Sequence, residues 1–452
     1  VFAGIARQAQ MIRAGEVAPK ELVQACLDRI ERLDPQLNAF RIVLAERALA
    51  EAGQAEGRRG AGDERPLLGV PLAIKDDIDV AGTTTAWGSA AHGPEKTADA
   101  EVVRRLRAAG AIEIGKTNVP EMTIWPFTET RAFGATRNPW DTGRTTGGSS
   151  GGTAAAVAAG MVGAGMGSDG GGSIRIPAAW CGLLGLKTSR GLVPLAPHDD
   201  AWQGLSVNGV LTRSVADTAL FLDTVAEGSY SGALEPPRAL TVALSYRRLP
   251  GASPWPKLDA EIRAATEQTA AALRALGHTV VEREPDYGPG AFPHFLARYT
   301  RGIKDDVETM AHPERLEKRT LGMSRMGALW PAGRVASMRR NEARLRERIW
   351  RSLGGPDVLM TPATGTLPPA VGKWEGQGAL RTLTGVAGHV PYNAIFNATG
   401  QPAASVPAGF STAGLPLSVQ LVGQPGADAL LLALAAQLEA ERPWADRRPP
   451  VS

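Results

Sequence analysis

Apolar residues recur along this chain with two periods, one typical of amphipathic helices and one typical of buried strands. Residues 4–33 carry apolar side chains at helical spacing, and the segment 15–19 divides them into two helices. Further helices are predicted at 99–109, 153–159 and 259–276, with Gly110 as the C-cap of the first. Short apolar runs predict strands at 70–74, 112–114, 161–166, 240–244 and 279–284. This alternation of strands and helices predicts a layered α/β sheet.

Residues 293–353 break the alternation, because they are helical, rich in Arg, Glu and Met, and without strand patterns. We interpret them as a helical insertion over the sheet. The insertion would either form one wall of a pocket or lie as a peripheral helical layer. The sequence pattern is compatible with both roles. No repeat or low-complexity linker divides the chain, although 235–237 and 285–289 are plausible seams. We therefore expect one domain over residues 1–452.

Composition excludes several classes of function. The chain has 452 residues, 43% hydrophobic and 21% charged, with a net charge of +3 and no basic block, which argues against a nucleic-acid partner. Cys26 and Cys181 lie in apolar contexts typical of buried free thiols, so a reducing compartment is favoured. No apolar stretch is long enough to cross a bilayer. A soluble cytoplasmic protein without a membrane partner is expected, although the first residue is Val1, so a trimmed leader stays open.

Two glycine-rich turns that each contain serine are the most informative motifs. Residues 146–153 read TGGSSGGT and residues 170–175 read GGGSIR, with helix-forming alanines between them. Glycine allows the backbone to approach another group closely, so a serine in such a loop is either a turn residue or a hydroxyl held out for chemistry. Lys75 follows the apolar run 70–74, and its burial would favour the neutral, basic form. Together, these residues indicate a nucleophile and its base.

These residues and their surroundings resemble the amidase signature family and its Ser-cis-Ser-Lys triad. Similar segments occur at 115–121, 133–140, 181–187 and 397–403. The resemblance covers nearly the whole chain, is strongest over about 65–220 and is weakest over about 285–375. It implies a large mixed central β-sheet flanked by helices on both faces, and an enzyme that hydrolyses carboxylic amides.

The resemblance also implies a role for each site residue. Ser173 would be the acyl-forming nucleophile, and Ser149, preceded by a cis peptide bond, would carry the proton between Ser173 and the base Lys75. The N–H groups of Gly170, Gly171 and Gly172 would form the oxyanion hole. Thr123, Trp125 and Phe127 would lie near an acyl pocket for apolar or aryl groups, although both aromatic rings could instead fill core. Asp169 and Arg175 flank the nucleophile, and we expect them to lock its loop.

Three other motifs match the sequence less well. Residues 110–117 fit the phosphate-loop expression, but the interior reads as a strand whose amides would be committed to a sheet. Residues 165–170 fit a dinucleotide fingerprint that lacks the acidic residue expected about 20 positions later. Residues 148–152 fit the nucleophile elbow of α/β-hydrolases, which would make Ser150 the nucleophile and His389 a candidate base, but a loop precedes them instead of a strand.

A second branch of the family generates ammonia from glutamine for tRNA-dependent amidation. Its subunits hold the substrate's amino group with a carboxylate shortly before the late Asn-x-x-Gly segment. This chain has no Asp or Glu between Glu375 and Asp428, and Val390 occupies the expected place. We therefore predict a stand-alone amidase that needs no cofactor and no metal, with a small-molecule amide as its partner and a homodimer left open. An amidotransferase subunit and an α/β-hydrolase-type esterase are the alternatives.

Overall fold

A large mixed β-sheet organises the chain, which the computed structural model describes over residues 1–251, 253 and 255–452. In chain order, the strands are β1 (Phe40–Val43), β2 (Pro71–Lys75), β3 (Ile112–Thr117), β4 (Glu129–Thr130), β5 (Gly134–Ala135), β6 (Arg137–Asn138), β7 (Asp141–Thr145), β8 (Ala164–Asp169), β9 (Leu184–Lys187), β10 (Val207–Thr212), β11 (Thr241–Leu244), β12 (Thr279–Glu282), β13 (Val358–Pro362), β14 (Ala403–Phe410) and β15 (Pro416–Val422). The main sheet has the order β1-β3-β2-β8-β10-β9-β14-β15-β13-β11-β12.

Helices cover this sheet. In chain order, they are α1 (Gly4–Ala14), α2 (Pro19–Leu37), α3 (Ala45–Gly60), α4 (Glu101–Ala108), α5 (Gly151–Ala158), α6 (Arg175–Cys181), α7 (Val215–Val225), α8 (Ala260–Ala275), α9 (Ala291–Val307), α10 (Lys318–Ala328), α11 (Ala332–Arg340), α12 (Glu342–Ser352), α13 (Ala379–Ala387), α14 (Ala394–Ala398) and α15 (Asp428–Glu441). None of the described helices is both long and apolar enough to cross a membrane.

The two faces of the sheet bury different helices, because neighbouring residues of a strand point to opposite faces. On β2, Leu72 and Ile74 pack with residues of α1, α4, α7, α8 and α15. The residue between them, Ala73, instead packs with α2, α5 and α6. At the other end of the sheet, Ala243 of β11 packs with α9, α10, α12 and α14. The α/β fold, with a mixed sheet between helical layers, is confirmed.

Most of the elements predicted from periodicity are present, with shifted ends. The strand predicted at 161–166 begins at Ala164, because Gly160 and Gly163 delay the extended run. Helix α4 ends at Ala108 with Ala109 as its C-cap, so Gly110, the predicted C-cap, lies one residue beyond the observed one, with a φ of 92°. The phosphate-loop match at 110–117 contains β3, whose six residues are all buried. Cys26 and Cys181 are buried free thiols, as expected.

The helical stretch 293–353 contains α10, α11, α12 and most of α9. Side chains of α9, among them Phe295 and Tyr299, belong to the same buried cluster as Trp125 and Phe127. The Tyr299 hydroxyl also donates to the backbone carbonyl of Ile124. The predicted insertion therefore packs directly against the segment that follows β3.

Candidate active site

Lys75 is the last residue of β2, a central strand that is buried along its whole length. Its side chain is fully buried, and its ammonium nitrogen Nζ lies 2.8 Å from Ser149 Oγ and 2.6 Å from Ser168 Oγ. Burial lowers the pKa of Lys75, while the Asp77 carboxylate, 3.1 Å away, opposes that shift. The net shift is downward, so Lys75 gives up its proton more readily than an exposed lysine.

Ser149 lies in the first glycine turn and is also buried. The peptide bond between Gly148 and Ser149 is cis. A Cβ atom on Gly148 would lie 2.6 Å from the carbonyl oxygen of Trp125 and 2.8 Å from the Phe127 nitrogen. Glycine is therefore required here, because any larger residue would push this turn away from the segment 125–127.

The second turn presents Ser173 between β8 and α6. Asp169, at the end of β8, accepts hydrogen bonds from the backbone N–H groups of Gly172 and Ile174, at 2.7 and 3.1 Å. Arg175 forms two side-chain bonds to the same carboxylate, at 2.9 and 3.0 Å, and both partners are fully buried. Burial would raise the pKa of Asp169, but the charge and hydrogen bonds of Arg175 hold it below its ordinary value. The pair fixes the serine loop, as expected from the sequence.

The two turns are joined by the N–H of Ser150, which donates to the carbonyl oxygen of Ser173 at 3.0 Å. Ser173 is half-buried, whereas Ser149 is closed off from solvent. In the described residues no hydrogen bond joins the Oγ atoms of Ser149 and Ser173. Catalytic hydrogen bonds are often longer in a free enzyme than in its substrate complex. The lack of this bond is therefore compatible with proton transfer from Ser173 to Ser149 during the reaction.

The glycines before Ser173 differ in what their N–H groups can do. Gly172 donates to Asp169, so its N–H is already committed to holding the loop. The N–H groups of Gly170 and Gly171 have no acceptor within the described parts of the chain, and Gly171 lines the cavity beside Ser173. The expectation of three equivalent donors is therefore corrected for Gly172, because the carboxylate of Asp169 competes for that N–H.

A cavity of about 750 Å³, including the space at its mouth, opens at Ser173. Its walls are mainly apolar and include Ile176, Phe295, Tyr299, Val386 and Val390. Of the residues predicted to bind the acyl group, Thr123 and Trp125 line it.

Phe127 does not line this cavity. It is fully buried and stacks between Trp125 and Trp374, with ring centroids 6.0 and 4.8 Å away. The prediction that Phe127 contacts substrate is therefore not supported, and the ring instead supports Trp125 from behind. Sequence spacing could not separate these roles, because both aromatic rings follow the same turn.

Ser168 and Asp77 were not predicted from the sequence, although both touch Lys75. Ser168 Oγ donates to Asp77 Oδ2 at 2.5 Å, and the two residues surround the lysine nitrogen. Asp77 lies two residues after Lys75, and Ser168 comes directly before Asp169. The sequence did indicate that Asp77 and Ser168 lie beside residues of the predicted site. It gave no indication that β2 and β8 are neighbouring strands, which brings both residues to Lys75.

The residues of the elbow alternative are far less suited to catalysis. Ser150 is fully buried, and its hydroxyl donates to the Ser168 carbonyl oxygen at 3.3 Å. His389 contacts the Thr366 hydroxyl at 2.6 Å and the Lys373 ammonium at 3.0 Å. Burial and the charge of Lys373 lower the pKa of His389 to about 4. No hydrogen bond joins Ser150 to His389 in the described structure.

Comparison with known proteins assigns the family. An amidase family model matches residues 21–432. The chain is 54% identical to the Mycobacterium tuberculosis protein AmiB2, which carries the name of an amidase, over 100% of this chain and 98% of that protein. It is 36% identical to the 6-aminohexanoate-cyclic-dimer hydrolase of Paenarthrobacter ureafaciens, over 98% of this chain and 95% of the relative.

A solved structure of 6-aminohexanoate cyclic dimer hydrolase complexed with substrate is also similar. It superimposes with a TM-score of 0.88 at 31% identity and covers 100% of this chain and 99% of that one. The chain therefore belongs to the amidase family and is an amide-hydrolysing enzyme.

Proposed function

We propose that the enzyme hydrolyses amides through an acyl-Ser173 intermediate. Neutral Lys75 takes the proton of Ser149, and Ser149 takes the proton of Ser173. The Ser173 oxygen attacks the carbonyl carbon as it loses this proton. The observation that carries this proposal is the 2.8 Å hydrogen bond between Lys75 Nζ and Ser149 Oγ in a fully buried site. When the C–N bond breaks, the leaving nitrogen takes its proton from Ser149, and Lys75 reprotonates that serine. Water then releases the acid by the reverse proton path.

Free N–H donors beside Ser173 support stabilisation of the tetrahedral intermediate. Gly170 and Gly171 are the donors that we assign to the oxyanion, since Gly172 serves Asp169. Donors fixed by a rigid loop stabilise developing negative charge without reorganising during the reaction. The buried Asp169–Arg175 pair supplies that rigidity.

The apolar cavity supports an apolar or aryl acyl group. Trp125 and Thr123 lie on its wall, and Phe295 and Tyr299 bring further aromatic surface from α9. Esters and carbamates with the same acyl half are natural further substrates, because each passes through the same acyl-serine and has a better leaving group. The absence of Asp and Glu from the described walls, with Val390 among them, supports a stand-alone amidase over a glutamine-dependent amidotransferase subunit.

Labelling with a fluorophosphonate tests the nucleophile. We expect peptide mass spectrometry to place one adduct on Ser173, because its hydroxyl faces the cavity and the buried Ser150 does not. Ser150→Ala should still be labelled, and Ser173→Ala should not. An adduct on Ser150 would instead support the α/β-hydrolase mechanism with Ser150 as nucleophile. Glutaminase activity stimulated by a partner protein would support the amidotransferase subunit.

Trp125→Ala tests the acyl pocket. We expect kcat/KM for a phenylacetyl amide to fall about tenfold more than that for the corresponding acetyl amide, because only the aryl group uses the indole surface. Trp140→Ala is the matched control, since Trp140 packs on Phe410 and does not line the cavity. Equal losses for both substrates would show that Trp125 acts on the fold and not on acyl selection.

A further inference from the structure

A second cavity is lined by side chains that contact Lys75. It has a volume of about 640 Å³ and includes Asp77 and Ser168, the two residues that contact the lysine nitrogen. Thr123 and Trp202 belong to the walls of both cavities. The two cavities are therefore neighbours that share this wall, with Ser173 lining the apolar one and Asp77 and Ser168 lining the other.

The walls of the second cavity are acidic. Asp77, Asp79, Asp200 and Asp306 line it, and no Lys or Arg does so in the described residues. Two of these carboxylates have basic partners at the rim, because Lys96 lies 3.3 Å from Asp79 and Arg339 lies 2.6 Å from Asp200. Asp306 has no such partner in the described residues, and the Asp77 carboxylate has no positive counterpart whenever Lys75 is neutral.

Asp77 and Asp306 are the two carboxylates that could accept a further hydrogen bond or ion pair from a ligand. The side chain of Asp77 is 7% exposed, and its Oδ1 atom is buried without a hydrogen-bond partner among the described residues. Asp306 accepts from the Trp202 indole N–H at 2.7 Å, but no basic side chain lies within 4 Å of it in the described structure. Burial raises the pKa of Asp306 to about 7. A cation would satisfy both groups.

The cation that this cavity suits is organic. The described residues contain no group of His, Cys, Asp and Glu side chains arranged to hold a metal ion. Trp87 and Trp202 also line the cavity, and both have left-handed backbone conformations, with φ of 54° and 51°. Such conformations cost of order 1–3 kcal/mol and are concentrated at ligand-binding sites. Indole faces and carboxylates together favour an ammonium on an alkyl chain.

The proposed proton path decides which half of the substrate reaches this cavity. The leaving nitrogen must approach Ser149, which donates the proton, and Ser149 is hydrogen-bonded to Lys75. With the acyl group in the apolar cavity, the amine half extends past Thr123 and Trp202 into the acidic one. An outer cavity shares Asp79, Trp87, His198 and Asp306 with it and reaches the exposed residues Pro94 and Glu95. The acidic cavity therefore adjoins an outer cavity whose walls carry both acidic side chains and Lys96.

We propose that the acidic cavity is the leaving-group site and selects amides whose amine half carries a second, positively charged amino group. This inference rests on the acyl-Ser173 mechanism proposed above. The preferred substrate class is therefore an apolar or aryl acyl group joined to one nitrogen of a diamine. An amine half that ends in a carboxylate is disfavoured, because it would place like charges together.

Three phenylacetyl amides of similar length test the proposal, made from 1,4-diaminobutane, butylamine and 4-aminobutanoate. We expect kcat/KM to be about tenfold higher for the diamine amide than for the butylamide, and lowest for the aminobutanoate amide. Free 1,4-diaminobutane should inhibit competitively, while butylamine should inhibit more weakly. Equal kcat/KM values for the three amides would overturn the proposal.

The variant Asp306→Asn tests whether Asp306 causes the preference for the diamine amide. Its amide oxygen can still accept from the Trp202 indole, so the fold is retained while the charge is lost. We expect the diamine-to-butylamine ratio to fall severalfold and the inhibition constant of 1,4-diaminobutane to rise. Asp28→Asn, an exposed aspartate of α2 that lines neither cavity, should keep the wild-type ratio.

An unchanged ratio in Asp306→Asn would overturn the proposed site. Fluorophosphonate labelling separates this failure from that of the mechanism. Equal kcat/KM values for the three amides in the wild-type enzyme, or an unchanged ratio in Asp306→Asn, reject the amine site alone if Ser173 is still labelled, whereas absence of the Ser173 adduct rejects the acyl-enzyme mechanism on which the site rests.

Discussion

Lys75→Ala should remove nearly all amide hydrolysis, with kcat/KM falling by about a thousandfold or more. A positioned base contributes about 10²–10⁴-fold, and Lys75 supplies the amine nitrogen that contacts Ser149. Steady-state kinetics on an aryl amide, with circular dichroism to verify folding, measure the effect. Lys75→Arg should fail as well, because guanidinium stays protonated at working pH.

Histidine variants provide the control for this prediction. His389→Ala should retain most activity, because His389 contacts Thr366 and Lys373 and, in the described structure, has no hydrogen bond to Ser149 or Ser173. Ser149→Ala should lower turnover strongly but less than Ser173→Ala, since water could partly carry the proton. Near-normal hydrolysis by a correctly folded Lys75→Ala protein would reject the proposed mechanism.

The pH profile follows from the same lysine. Only neutral Lys75 can accept a proton, so kcat/KM should rise with pH and level off above the pKa of Lys75. Burial lowers that pKa, with Asp77 opposing the shift, so the apparent pKa should lie below the ordinary value of about 10.4. Asp77→Asn removes the opposing charge and should move the rising limb to lower pH. A shift to higher pH would contradict this account of Lys75.

Arg175→Met should destabilise the protein by about 3–5 kcal/mol, because it leaves the Asp169 carboxylate buried without its cation. The loss should be visible as a lower midpoint of urea unfolding. Arg7→Met removes an exposed ion pair, Arg7 with Glu16, and should cost no more than about 1 kcal/mol. The double variant Asp169→Asn, Arg175→Met should recover part of the loss, since position 169 then carries no charge that lacks Arg175. Equal effects of Arg175→Met and Arg7→Met would refute this role of the pair.

The sequence alone was enough to propose the residues whose chemistry depends on local context. Lys75 could be proposed because it ends an apolar strand, and Ser149 and Ser173 because glycine-rich turns surround them. Helical periodicity likewise indicated the insertion at 293–353, which α9 to α12 form. Each of these features is encoded within a few consecutive residues, so one sequence is enough to show it.

Only the tertiary structure decided which groups remain available for chemistry. Gly172 looks like its neighbouring glycines in the sequence, but Asp169 takes its N–H. Phe127 looks like Trp125, yet it packs behind that ring and not on the cavity wall. The acidic cavity joins Asp77 and Asp306, which lie more than 200 residues apart in the chain. Such choices depend on how strands and helices pack across the sheet, and packing between distant segments leaves no local pattern in the sequence.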